Sequence, residues 1–236
     1  MDGRLDGQAA LGEHTIGWSL SYTGDDPPLL LLPPGLYDAP LPKAKALVGT
    51  PMAVFDGELV VDGDTIPIDG WIGSQNHNWG SKHTDQYAWG QVAGFTEAPN
   101  AFLELSTARI RIGPFTTPWM TPMVMRLDGE EHRLSGLPRA ILSNHGRYDE
   151  DALVWSFRGR QGGFELEGEI RGDAENFVAL PYDNPPGGTK ICLNSKVARC
   201  VIDVRHQGVT RRLTSERAAF EILTDRRDHP IPLLQV

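Results

Sequence analysis

The chemistry-bearing residues concentrate between Gly70 and Phe95. Trp71, Trp79 and Trp89, three of the chain's six tryptophans, are interleaved there with Gln75, Asn76, His77, Asn78, His83, Asp85, Tyr87 and Gln91. Aromatic walls carrying a few polar groups are what a small-molecule pocket needs. In an extended segment His83 and Asp85 share a face, because side chains alternate with period two. A carboxylate beside an imidazole favours its charged form, so the pair could donate and accept a proton near neutral pH. A continuous strand would carry Tyr87, Trp89 and Gln91 along the same wall. His77 would be a second proton donor. The competing possibility is a polar network that only ties up a sheet end, and the two asparagines around His77 suit that role.

Other candidates are more isolated. Glu104 stands between Leu103 and Leu105, where an inward carboxyl would have a raised pKa and an outward one would be an ordinary surface charge. Trp119, with Met120, Met123 and Met125, makes an adaptable apolar patch that could be core or a lipophilic wall. His83-Thr-Asp85 also supplies half of a two-His-one-carboxylate set, with His132, His145 or His206 as third ligand. That pattern is common by chance, and we expect neither metal nor cofactor. Gly187-Gly-Thr-Lys190 lacks the order of a phosphate loop, and the Gly-x-Ser-x-Gly and Cys-x-x-Cys patterns are absent. On the run that follows, Lys190, Cys192, Asn194 and Lys196 face one way and Ile191, Leu193, Ser195 and Val197 the other.

The elements that must position these groups read as strands. Gly (26) and Pro (18) punctuate short alternating or β-branched segments at intervals that suit an antiparallel sandwich or barrel. Strands are expected at 15–22, 53–61, 87–95, 101–112, 124–127, 132–142, 153–158, 164–171, 177–181, 189–205 and 209–223. Asp56-Gly57, Asp62-Gly63 and Asp128-Gly129 are turn dipeptides, and Gln207-Gly208 centres the best hairpin. Residues 1–14 and 225–236 are expected to be peripheral, leaving one β domain over 15–224. Residues 23–45 are irregular and proline-rich.

Composition narrows the class. A net charge of −9 argues against nucleic acid or an anionic membrane as partner, since both need clustered Lys and Arg. The longest aliphatic run, Leu29 to Leu32, is far below the roughly 20 residues of a membrane span. Cys192 and Cys200 on one strand would lie roughly 26 Å apart. They should therefore be unpaired, as in a reducing cytoplasm, where we expect the protein.

The blocks Gly73-Ser-Gln-Asn-His-Asn-Trp-Gly80 and Tyr87-Ala-Trp-Gly90 resemble the lipocalin-like superfamily that contains carotenoid 1,2-hydratase, AttH-like proteins and tocopherol cyclase. Pro42-Lys-Ala-Lys45, Asn184-Pro-Pro-Gly-Gly-Thr-Lys190 and Leu193-Asn-Ser-Lys196 extend the likeness over most of 18–223. It is greatest to bacterial AttH-like members without an assigned activity, mainly to their C-terminal part. The resemblance implies a calycin-like antiparallel barrel and cofactor-free proton chemistry on an isoprenoid or polyene. It also implies two lipocalin-like lobes, for which this chain is short; part of a second lobe would fall within 15–50.

We therefore expect an all-β, lipocalin-like barrel with little helix. Its pocket would be lined by Trp71, Gln75, Trp79, Tyr87, Trp89, Gln91, Glu104, Trp119 and the methionines. The expected function is a cyclase, isomerase or hydratase acting on a lipophilic small molecule, with His83, Asp85 and His77 as its acid-base groups. The rivals are a lipophile-binding protein without chemistry, a hydrolase of activated esters or phosphotriesters, and the metalloenzyme. A homodimer is compatible with each.

Overall fold

The structure is a computed structural model that describes residues 3–234. It is 64% strand and 6% helix, nearly all in antiparallel sheet, as the alternating pattern predicts. The described residues divide into two compact units, one comprising residues 3–29 and 47–77 and the other residues 30–46 and 78–234.

The first unit is built from β1 (Gly3–Leu11), β2 (His14–Thr23) and most of β4 (Ala44–Val61) and β5 (Asp64–Gly80), in the order β1-β2-β4-β5. Residues 3–11, expected at the periphery, pair with β2 along their whole length. Asp62-Gly63 makes the β4–β5 turn, both residues having positive φ as a tight hairpin turn requires. Asp56-Gly57 makes no turn and lies inside β4, where the Asp56 carboxylate accepts the Gly70 N–H at 2.9 Å. β3 (Leu29–Leu30) and the one-turn helix α1 (Gly35–Asp38) come between β2 and β4 in sequence.

The second unit holds the larger sheet. Its strands are β6 (Gln86–Ala93), β7 (Phe102–Arg109), β10 (Met123–Leu127), β11 (Glu130–Arg133), β12 (His145–Asp149), β13 (Val154–Gln161), β14 (Phe164–Arg171), β15 (Val178–Asp183), β16 (Thr189–His206) and β17 (Val209–Thr224). β8 (Arg111–Ile112) and β9 (Phe115–Thr116) form a small separate ribbon. The ladder order is β11-β10-β7-β6-β17-β16-β14-β13-β12, with β15 also on β16. Asp128-Gly129 and Gln207-Gly208 close the β10–β11 and β16–β17 hairpins with positive φ at both residues. The strand expected over 132–142 stops at Arg133; Pro138 opens a short helix, α2 (Leu137–Leu142).

This sheet is rolled. β7 and β13 are five ladder steps apart, about 24 Å on a flat sheet. Yet the Trp155 indole N–H of β13 donates to Thr107 Oγ1 of β7 at 3.0 Å. Only a sheet curled on itself brings those strands together. The concave side is filled by Trp155, Phe220, Phe177, Leu105, Leu193, Ile170, Met123 and Met125, all buried. Ile231 joins this core and the Leu234 N–H bonds to Ala179 O, so the segment after β17 packs on the unit instead of trailing from it.

β6 explains which side is which. Ala88, Gly90 and Val92 face the core. A Cβ on Gly90 would stand 2.6 Å from Ile170 Cδ1 and 3.0 Å from the Trp155 ring, so only glycine fits beneath that indole. Strand alternation then sends Tyr87, Trp89 and Gln91 to the opposite face. The expectation of an interior lined by tryptophans and methionines is corrected accordingly. Met123 and Met125 pair with Leu105 and Leu103 and belong to the filled core, away from the Trp89 face.

Candidate functional site

The chemically distinctive cluster of the second unit lies on the convex face of β7, β6, β17 and β16. Register builds it. Gln91 pairs with Glu104, Glu221 with Trp89, and Asn194 with Glu221, so these side chains form a band across four strands. The Trp89 indole N–H donates to Glu104 Oε1 at 2.8 Å, and Gln91 Nε2 donates to Oε2 at 2.7 Å. Glu104 is only 3% exposed. Burial pushes its carboxyl up to about 7; the two donors pull the other way, and the charge of Glu221 adds to the rise. The carboxyl thus exchanges a proton at neutral pH, as a general acid or base must.

Glu221 is held differently. Its Oε1 accepts from Asn194 Nδ2 at 2.8 Å and from the Lys196 ammonium at 2.9 Å. Its Oε2 lies 3.4 Å from the Tyr87 hydroxyl and 3.8 Å from Cys192 Sγ. Burial, with the negative charge of Glu221 as a smaller contribution, raises the Cys192 thiol to about 12 and lifts the Tyr87 phenol well above its usual value. Both stay protonated as weak donors. The Lys196 ammonium also lies 5.3 Å from the Trp89 ring centroid. Trp89 therefore links the two carboxyl groups, bonding one through its N–H and stacking under the cation paired with the other. Tyr37 is half-buried; partial burial, with the charge of Glu104 as a smaller contribution, raises its phenol, and its ring packs 6.0 Å from that of Trp79.

The anticipated His83–Asp85 pair does not form. Both residues lie in the link 81–85 between β5 and β6, so the continuous strand expected to carry them into Tyr87 is interrupted. Asp85 Oδ1 takes the Lys82 ammonium at 2.6 Å and Oδ2 takes the Arg111 backbone N–H at 2.7 Å. Burial opposes ionisation of Asp85, but the Arg111 N–H and Lys82 outweigh it and hold its pKa low. The His83 ring stacks on Tyr182, and its backbone N–H is capped by Asn184 Oδ1. Local charge complementarity won: Lys82, three residues before Asp85, takes the carboxylate.

The remaining candidates are dispersed. Trp71, Gln75 and His77 belong to the first unit, where His77 is exposed and Trp71 is 53% exposed. Trp119 packs edge-on against Tyr148 at 5.7 Å, under the Arg109 guanidinium. A groove of about 920 Å³ on the outer side of β12, β13, β14 and β16 is lined by charged residues such as Arg147, Arg158, Glu167, Arg199 and Asp203, and none of the Glu104 cluster borders it. Among the described residues, the three-residue group able to ligate a metal is Glu130, His132 and His206; His83 and Asp85 are not in it. Glu221 escaped the sequence reading. The Cys192–Asn194–Lys196 face was visible in it, but not the carboxylate it surrounds.

The fold is nearly all antiparallel β-sheet, of the lipocalin-like class. The chain is similar in fold to kievitone hydratase from Nectria haematococca, with a TM-score of 0.53 at 13% identity, over 94% of this chain and 65% of that one. A putative AttH protein from Nitrosomonas europaea superposes with a TM-score of 0.48 at 12% identity, over 92% of this chain and 64% of that one. In sequence, the chain is 27% identical over 198 residues to an uncharacterised Mycobacterium tuberculosis protein, described from two strains. The match covers 83% of this chain but 58% of that protein's length. No family model matches the chain. No helix of the described residues is long and apolar enough to cross a membrane.

Proposed function

We propose that the protein is a cofactor-free proton-transfer enzyme of the hydratase type, adding water to, or removing it from, a carbon–carbon double bond of a lipophilic small molecule. One observation carries this reading: Glu104, buried and gripped by Trp89 and Gln91, with a carboxyl that titrates near neutrality. The proton role expected of His83 and Asp85 passes to it. In the addition direction Glu104 gives its proton to one alkene carbon. The oxygen of a water bonds to the adjacent carbon and its surplus proton returns to the carboxylate, so acid and base are one group in two states. The Glu221–Lys196 pair would orient the water. The fold shared with a protein named as a hydratase supports the reaction class and leaves the substrate open.

The test is incubation of the purified chain with alkene-bearing isoprenoids and polyphenols in 18O-labelled water, followed by mass spectrometry. Product carrying one labelled oxygen, made by the wild type and reduced at least about 100-fold by Glu104→Gln, is the expected result. Equal labelling by wild type and variant would remove Glu104 from the chemistry. Retention of a lipophile with no conversion would favour the binding-protein alternative.

A further inference from the structure

A second cluster lies where two hairpins meet, apart from the Glu104 band. Glu130 and His132, two residues apart on β11, share a face. His206 ends β16, just before the Gln207-Gly208 turn. β11 and β16 are five ladder steps apart, and the rolling of the sheet brings them together. The His132 and His206 rings then meet edge to face at 4.7 Å. Each presents Nε2 to Glu130 Oε2 at 3.9 Å, and the ligand atoms all lie within 4.8 Å of one another.

Two facts indicate that a partner belongs between them. His132 Nε2 is buried and has no hydrogen-bond partner, though its ring is locked by stacking on Phe164 at 3.9 Å. A buried ring nitrogen without a partner is costly, and a metal would satisfy it. The spacing is also suitable. Zinc bonds of 2.0–2.1 Å place tetrahedral donors about 3.3 Å apart, so a shift of roughly 0.5–1.5 Å by the exposed Glu130 and part-exposed His206 closes the set. We propose that His132, His206 and Glu130 bind one divalent transition-metal ion of the zinc class, clipping the β10–β11 hairpin to the β16–β17 hairpin.

Two imidazoles and one carboxylate select zinc, cobalt, nickel or copper over magnesium or calcium, which require several oxygen ligands. The fourth position falls to solvent. Asp128, the next acidic neighbour, is engaged by Arg211 on β17 and is left out of the set.

The experiment is titration of the untagged, chelator-stripped chain with ZnCl2 by calorimetry, and with CoCl2 by visible absorption. The double variant Glu130→Gln/His206→Gln serves as control; it leaves the stacked His132 ring in place, and its circular dichroism verifies folding. We expect one Zn2+ per chain and the absorption of four-coordinate Co2+. We also expect a higher melting temperature with Zn2+, no response to Mg2+, and affinity at least about tenfold weaker in the variant. Failure of the wild type to bind Zn2+, or binding by the variant with equal stoichiometry and affinity, would overturn the proposal. Neither outcome bears on Glu104, because no measurement involves turnover.

Discussion

Glu104 makes a quantitative prediction about stability that needs no substrate. Its carboxyl titrates near 4.5 when exposed and at about 7 in the folded protein, because burial disfavours the charge. Between those values the folded state binds more protons than the unfolded state, so this site lowers stability as pH rises. Its contribution is fully present below about pH 4.5 and is lost as pH passes through 7. At 1.36 kcal/mol per pKa unit the whole span is about 3 kcal/mol, of which about 2 falls between pH 5 and 7. Glu104→Gln removes the titration, keeps the shape, and lets the Gln91 amide turn to meet the new NH2. Urea unfolding of both proteins at pH 5, 6, 7 and 8 is the assay. The difference in unfolding free energy should swing by about 2 kcal/mol in favour of the variant from pH 5 to 7 and flatten above pH 8. Groups that do not interact with Glu104 titrate alike in both proteins and cancel. A difference constant within about 0.5 kcal/mol over that range would refute the burial argument, and with it the acid assigned to the proposed reaction.

Other expectations address the core and the cysteines. Thr107→Val is nearly isosteric but leaves the buried Trp155 N–H and the Thr121 hydroxyl without their shared partner, and should cost about 1–3 kcal/mol in unfolding free energy. Unchanged stability would mean that the rolled sheet does not depend on that bond. Cys192 and Cys200 are both free and buried, and burial raises both thiols, that of Cys192 to about 12. Thiol reagent at pH 8 should leave the native chain unlabelled and titrate two thiols once it is unfolded without reductant. Rapid native labelling would contradict the burial of both.

Local features of the fold were legible, and the site was legible only in part. Asp62-Gly63, Asp128-Gly129 and Gln207-Gly208 announce their turns because positive φ is a local requirement that few residue pairs meet. Asp56-Gly57 carries the same signal and misleads, since Gly57 is needed there for a close approach to Ser19 on the neighbouring strand. The face of Trp89 follows from alternation along β6, but which face is the core depends on Gly90 receiving Trp155, 65 positions along the chain. Glu104 is ambiguous for a related reason. Leu103 and Leu105 face the core, and its own side is buried as well, so no contrast in polarity marks it as special. The Gln207-Gly208 hairpin register places Asn194 opposite Glu221, but no spacing reveals that Glu221 meets Trp89.

The partnership of Glu221 with Trp89 and Asn194 rests on the register of three strands, of which β16 and β17 form one hairpin and β6 comes from a distant part of the chain. The β16–β17 pairing is irregular between Ser195 and Ala198 and again between Ala198 and Cys200. That shift moves the core-facing phase from Leu193 and Ser195 to Ala198 and Cys200, so the two cysteines, eight residues apart, lie on opposite faces. An unbroken strand would have kept the Cys192–Asn194 phase on the convex face through Cys200. The irregularity instead confines that polar stretch to the few residues that meet Glu221 and returns β16 to the core. Its position, within two residues of Lys196, is a local departure from strand regularity at the point where the candidate chemistry is assembled.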